Sequence, residues 1–315
     1  MNKSLYVIGI EGGGTKTTAV LCALDGIILS EAQGGPSNFH MVGIEKAANT
    51  LLELIQTCCH SVGCSVSQIG AVVAGLAGAG RTLDQQRIMD QVLESARKTG
   101  IALEKISIES DARIALEGAF SGKQGIVVIS GTGSIVFGKD ERNNVVRAGG
   151  WGRFIGDEGS GYAIGREAFR AVTKVIDGYG KKTKLVKLFD EKFGLGTQDA
   201  IIHAVYEEKF DLASVMPVVL QAALIGDTVA KKILVHACVD LVEVIDTVLK
   251  QMNKGRKSIA KYPLAFVGSV LMNDNFYSRK LRSALKREIP LVSLRHAESS
   301  PVVGAALMAI RLLNI

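Results

Sequence analysis

"YVIGIEGGGTKTTAVLCALDGIILSEA" (Tyr6–Ala32) and "GIVVISGTGSIVFGKDERNNVVRAGG" (Gly125–Gly150) are the two stretches that decide the fold. Each runs an apolar strand into a glycine-rich bend, emerges as a second strand and meets a polar turn. Placing Ile10 on Ile129 sets Glu11 on Ser130, Gly12 on Gly131, Gly14 on Gly133 and Thr15 on Ser134, a constant offset of 119 without a gap. Short strand-like runs bounded by turn residues predict hairpins, and the first is expected to turn at Asp25-Gly26. A hairpin used twice in one chain implies two units built on one plan.

At 315 residues the chain exceeds the usual size of one hydrophobic core, so two domains are expected. Glycine supplies 35 of the 315 residues, well above its typical share of about 7%. It is spread through short motifs, which points to backbone geometry rather than low complexity. Tyr6 already begins a strand pattern, leaving too short an apolar region for a signal peptide. No apolar run approaches the roughly 20 residues of a membrane span. Five cysteines do not make a disulfide framework. The expectation is a reduced, cytoplasmic, soluble protein. The net charge of +6 is dispersed. Its densest run, "GKKTKLVK" (Gly180–Lys187), lacks the interleaved aromatics of a nucleic-acid surface, so no nucleic-acid partner is expected.

Between and after the hairpins, helical periodicity appears at Gly43–His60 and in "RTLDQQRIMDQVLESARKTG" up to Gly100. "IGAVVAGLAG" (Ile69–Gly78) is apolar throughout, as in a strand buried on both faces. "KISIESD" is a strand and "ARIALEGAF" the helix behind it. Helical patterning dominates Tyr162–Leu249, with interruptions near 178–184 and 194–197. "PLAFVGSV" (Pro263–Val270) and "VSLR" are late strands, and "SPVVGAALMAIRLL" is a closing helix. Strand hairpins followed by strand–helix alternation give an α/β class with mixed sheets. The expected boundaries are 1–118 for the first domain, completed by the helix at 299–315, and 119–298 for the second.

A Gly12-Gly13-Gly14 bend can turn several N–H groups to one side with no Cβ in the way, which makes a nest for phosphate oxygens. Thr15 and Lys16 add a hydroxyl and a cation. In the second bend Ser130, Thr132 and Ser134 supply hydroxyls around Gly131 and Gly133. Two such bends can grip a triphosphate from two sides.

With these motifs, the late "FVGS" strand and the strand end "ESDA", the chain resembles the actin/hexokinase/heat-shock-chaperone ATPase superfamily. Within it, the chain is similar to the N-acetylglucosamine kinases, grouped with the BadF/BadG/BcrA/BcrD ATPases. The tightest stretch is "GGWGRFIGDEGS". The resemblance implies two ribonuclease-H-like lobes with a nucleotide cleft between them. The first lobe would hold the sugar and the first phosphate loop, the second lobe the second phosphate loop and the adenosine side. It implies ATP with Mg²⁺ carried on the phosphates near Glu11, an amino-sugar acceptor such as N-acetylglucosamine, glucosamine or N-acetylmuramic acid, a role in cell-wall recycling, and a homodimer. Many superfamily members have Asp where this chain has Glu11; the N-acetylglucosamine kinases resemble it in having Glu.

The resemblance also assigns residues. Asp111 matches the family's catalytic aspartate and would accept the proton of the attacking hydroxyl. Read from sequence alone, it is equally an N-cap for the helix behind it, whose N-terminal field favours the ionised form. Asn38 matches a sugar-contacting asparagine; an amide both donates and accepts, as a vicinal diol requires. Trp151, with the Gly150 backbone and Asp157, is expected against the sugar. Gly268 and Ser269 match the adenosine-side motif.

"CCHSVGC" (Cys58–Cys64) falls at a helix end, and its adjacent ligands fit structural zinc spacings poorly, so packing is expected there. Two other functions require features that this sequence does not carry. A BadF-type activator of a 2-hydroxyacyl-CoA dehydratase would need cluster-bridging cysteines after the second phosphate region, and no cysteine lies between Cys64 and Cys238. A non-catalytic sugar-sensing regulator would need a helix-turn-helix extension, for which no room precedes Tyr6.

Overall fold

The computed structural model describes residues 6–255 and 260–313; positions 314–315 of the expected closing helix lie outside them. The chain divides into two units, Met1–Gln124 with His296–Ile315 and Gly125–Arg295.

The first unit is built on β1 (Tyr6–Gly12), β2 (Thr17–Ala23), β3 (Ile28–Gly34), β4 (Ile69–Leu76) and β5 (Ile106–Ser110), ordered β3-β2-β1-β4-β5. β1, β2 and β3 pair antiparallel, and β4 and β5 add in parallel. The β2–β3 turn falls at Asp25-Gly26 as expected. Asp25 Oδ1 accepts from the Ile27 N–H at 3.0 Å, an Asx turn, while Gly26 takes a φ of +89°. Every residue of β4 is buried, the consequence of helices covering both sheet faces. On one face Ile8, Ile10, Ala19 and Leu21 pack under α2 (Ile44–Val62) and α3 (Thr82–Lys98), with α1 (Phe39–Val42) leading into α2. On the other, Val7, Val20, Ala71 and Val73 meet Ile114 of α4 (Asp111–Ala119) and Val302, Ala305 and Ala306 of α12 (Pro301–Leu313).

The second unit repeats the plan. β6 (Gly125–Ser130), β7 (Ser134–Lys139), β8 (Val145–Gly149), β9 (Tyr262–Val267) and β10 (Val292–Arg295) are ordered β10-β9-β6-β7-β8. Read from β8 to β10, this is the first sheet's order with each strand replaced by its counterpart. Its helices are α5 (Gly161–Ile176), α6 (Leu185–Phe193), α7 (Gln198–Ile202), α8 (Met216–Leu224), α9 (Thr228–Met252), α10 (Ser269–Met272) and α11 (Phe276–Glu288). The long helical region breaks more often than its periodicity predicts. A π-helical turn spans His203–Glu207, and a further break precedes Asp227, whose carboxylate caps α9 at the Ala230 N–H and also accepts from the Lys184 N–H.

One expectation is corrected. The gap-free correspondence of the two hairpins ends at the bends: Glu11 pairs with Thr18, seven residues on, whereas Ser130 pairs with Ser134, four residues on. The first bend is therefore longer. Thr15 lies at its exposed tip, while Ser134 already belongs to a strand. Among the described residues, no single helix is long and apolar enough to cross a membrane.

α12 packs without clearance. A Cβ on Gly9 of β1 would lie 2.3 Å from Ala306 N, and one on Gly304 would lie 2.0 Å from Ile114 O of α4. Arg311 of α12 and Arg113 of α4 both ion-pair with the fully buried Glu117. Gly304→Val should therefore destabilise the protein by about 3 kcal/mol or more, because backbone rather than a flexible side chain blocks the new methyls. Gly80→Ala, which meets nothing within 4 Å, should stay within about 0.5 kcal/mol of the parent. Thermal unfolding of both variants checks this.

Candidate active site

In the first bend the carbonyls of Gly12, Gly13 and Lys16 are occupied and the tip amides are not. Gly12 O accepts from the Ala77 N–H at 2.8 Å, and Gly13 O accepts from the Ser37 and Asn38 N–H groups at 3.1 and 3.0 Å. Gly13 N–H closes the bend onto Lys16 O at 3.0 Å. Below it Thr17, fully buried, donates through Oγ1 to Gly35 O at 2.7 Å and lies 2.8 Å from Ser37 Oγ. Gly14, Thr15 and Lys16 are exposed, and the N–H groups of Gly14 and Thr15 have no acceptor among the described residues. Amides left open on a bend whose carbonyls face inward make an anion-binding concavity.

Asn38 is joined to this bend through its own N–H. Its side chain caps α1, with Oδ1 accepting from the His40 N–H at 3.2 Å. A Cβ on Gly78, in the turn after β4, would lie 3.3 Å from that Oδ1.

Asp111 is the first residue of α4, and the cap itself is Ser110, whose side chain accepts from the Arg113 N–H at 3.1 Å. Asp111 Oδ1 accepts from the Ala112 N–H at 2.8 Å. Asp111 is an exposed residue, yet protein packed on one side of its carboxylate removes water there and raises its pKa, with the Ala112 N–H and its own N–H opposing. Glu11, at the end of β1, also has a raised pKa. Burial is the main cause and the Asp111 charge the next, while Lys16 and the Val302 N–H of α12 pull it down. Burial thus raises the pKa of both acidic groups at the strand ends beside the first bend, and Glu11 senses the Asp111 charge. Among the described residues no group of three or more His, Cys, Asp or Glu side chains is arranged to hold a metal ion. Hard oxygen donors in a pair suit a Mg²⁺ ion that keeps most of its ligands as water and phosphate.

The second bend follows the same rule with different partners. Gly131 O accepts from the Gly161 N–H at 2.8 Å and Thr132 O from the Tyr162 N–H at 3.1 Å, both at the start of α5. Gly131 N–H closes onto Gly133 O at 2.9 Å. The N–H groups of Thr132 and Gly133 have no acceptor among the described residues, and Thr132 is exposed. Two of the three hydroxyls expected to face a ligand turn inward instead. Ser130 Oγ donates to Gly159 O at 2.9 Å and Ser134 Oγ to Glu158 O at 2.7 Å. Gly268, at the end of β9 with a φ of +96°, packs against the same bend: a Cβ there would lie 2.4 Å from Ser130 O. Ser269 follows it, exposed, as the first residue of α10.

Trp151 is 68% exposed in the irregular segment after β8. The neighbouring Gly149, Gly150 and Gly152 all have positive φ, so the glycines serve the backbone path, and Arg147 lies 5.9 Å from the indole centroid. Asp157 is only 7% exposed and holds a φ of +61°. Burial raises its pKa, while the Ser134 and Gly152 N–H groups, which it accepts from, lower it. It therefore links the second bend to the tryptophan loop. The sequence did not single out Ser37, Val302 or the α5 amides, because each acts through a backbone or buried contact with no motif of its own.

Comparison with known proteins gives the family. The chain is 36% identical over 307 residues to an N-acetylmuramic acid/N-acetylglucosamine kinase of Clostridium acetobutylicum, covering 96% of this chain and 98% of that one. It is 31% identical to an N-acetyl-D-glucosamine kinase of Dictyostelium discoideum over 98% of this chain and 99% of that one. The solved structure of a candidate N-acetylglucosamine kinase from Chromobacterium violaceum superposes with a TM-score of 0.72 at 25% identity, over 97% of this chain and 99% of that one. The α/β fold with two mixed five-stranded sheets is that of the actin-like ATPases. Residues 8–309 match the BadF/BadG/BcrA/BcrD ATPase family, and the chain belongs to it.

Proposed function

We propose that this protein is an ATP-dependent kinase of N-acetylglucosamine or a close relative, with Asp111 as the general base. The observation that supports it most is the placement of Asp111 directly after β5 and of Glu11 at the end of β1, in the unit that carries a bend with open amides. The names of the two relatives above support the acceptor class.

Phosphoryl transfer asks a protein for alignment, charge neutralisation and a proton acceptor. The amides of Gly14, Thr15, Thr132 and Gly133, with Lys16 and the Thr15 and Thr132 hydroxyls, are assigned to the phosphate oxygens of ATP. Gly12, Gly13 and Gly131 give the bends their shape, and Ser130 and Ser134 brace the second from behind. Gly268 and Ser269 are assigned to the nucleoside side. Asn38 and Asp111 bind the sugar hydroxyls, and Gly150, Trp151 and Asp157 form or support the rest of the sugar site. In the reaction the sugar oxygen bonds to the γ-phosphorus, the bond to the β-phosphate oxygen breaks, and the hydroxyl proton passes to Asp111. Mg²⁺ bound near Glu11 would neutralise charge on the phosphates.

Incubating the protein with Mg-ATP and N-acetylglucosamine, N-acetylmuramic acid or glucosamine, then identifying products by mass and NMR, tests this function. A phosphorylated amino sugar is the expected outcome, and ATP consumption without one would refute it. Asp111→Asn keeps the shape but removes the base; kcat should fall by at least about 100-fold, with ATP affinity near that of the parent by calorimetry. The base acts only when deprotonated, and burial raises its pKa. Sugar phosphorylation should therefore be lost as pH falls, along a limb lying above the ordinary aspartate value of about 3.9. Trp151 is the only tryptophan, so its emission should shift on saturating amino sugar; an unchanged spectrum would remove it from the site.

A further inference from the structure

Two hydroxyls from distant parts of the chain converge on one carbonyl. Ser130 Oγ donates to Gly159 O at 2.9 Å, and Tyr277 Oη donates to the same oxygen at 2.8 Å across 118 residues of sequence. Tyr277, on α11, is fully buried. Its hydroxyl also lies 3.4 Å from Ala237 O, and its own carbonyl accepts from Cys238 Sγ at 3.6 Å. Gly159 has no freedom to move away. Its φ is +73°, and a Cβ on it would lie 2.6 Å from Tyr277 Oη and 2.8 Å from Leu241 Cβ.

Gly159 immediately precedes Ser160, the N-cap of α5, whose side chain accepts from the Ala163 N–H at 3.1 Å. The next two amides, Gly161 and Tyr162, are those that hold the carbonyls of Gly131 and Thr132. A chain of contacts therefore runs from Tyr277 through Gly159 and the first turn of α5 to the second bend. Filling the core at this position needs only the ring; a phenylalanine would occupy the same space. The hydroxyl adds direction, because a carbonyl held by two donors fixes the peptide plane from which α5 starts.

We propose that Tyr277 is a positioning residue for nucleotide binding: its hydroxyl, acting through the Gly159 carbonyl and the start of α5, sets the direction of the open Thr132 and Gly133 amides. The proposal rests on the assignment of that bend to ATP phosphates. Tyr277 touches no ligand in this scheme, and its effect is transmitted by the backbone.

The test is calorimetric titration of the full-length protein and Tyr277→Phe with the Mg²⁺ complex of a non-hydrolysable ATP analogue, with thermal unfolding measured alongside. One well-placed hydrogen bond is worth a factor of roughly 3 to 10, so the variant should bind the analogue weaker by about that factor while remaining folded at the titration temperature. An unchanged dissociation constant in a folded variant, whatever its melting temperature, would overturn the proposal, since a merely structural hydroxyl moves stability alone. Should Tyr277→Phe fail to fold, Ser130→Ala removes the other donor to the same carbonyl, and unchanged analogue binding there overturns it equally. Failure of the parent protein to bind the analogue is a different result: it sinks the phosphate assignment of the bend itself.

Discussion

Both glycine bends share one constraint: the carbonyls at their base (Gly12 and Gly13; Gly131 and Thr132) are satisfied from inside the protein, while their tip amides are left for something outside. A buried backbone oxygen without a donor costs about as much as a lost hydrogen bond, and each unit supplies those donors differently. The first uses the segments after β3 and β4, through Ser37, Asn38 and Ala77; the second uses the N-terminus of α5. Once the oxygens of Gly12, Gly13, Gly131 and Thr132 are fixed, the peptide planes are fixed too. The amides of Gly14 in the first bend, and of Thr132 and Gly133 in the second, share those planes and are left open in their own bend. The first amides of α5 hold the bend rather than a ligand, so the helix dipole reaches an anion through the bend.

The same dependence on backbone contacts ties the acidic pair to the end of the chain. Glu11 is drawn down in pKa by the Val302 N–H while burial and Asp111 push it up. That amide is in place because α12 lies directly on β1 and α4, where Gly9 and Gly304 leave no clearance. The buried Glu117, gripped by Arg113 and Arg311, holds the two helices together at their far end. Burial remains the main influence on Glu11, and the final helix adds a smaller one of opposite sign.

What could be read from the sequence was local. The strands of both hairpins, the Asp25-Gly26 turn, the fully buried β4 and the helix after Asp111 follow from short-range pattern and turn chemistry. The plan of the second sheet, too, follows from its likeness to the first. The lengths of the bends did not follow, because glycine spacing says nothing about where a strand resumes. Nor did the roles of the Ser130 and Ser134 hydroxyls, which turn inward to Gly159 and Glu158. Asp157 and Tyr277 belong to the same class. Their meaning lies in contacts with Ser134, Gly152 and Gly159, which tertiary packing brings together and no spacing announces.

The open amides are the centre of this picture, and backbone nitrogen and proton shifts report on them directly. On titration with the Mg²⁺ complex of a non-hydrolysable ATP analogue, the resonances of Gly14, Thr15, Thr132 and Gly133 should move together and saturate at one concentration. Movement of other amides while these four stay still would contradict the assignment of the two bends to phosphate.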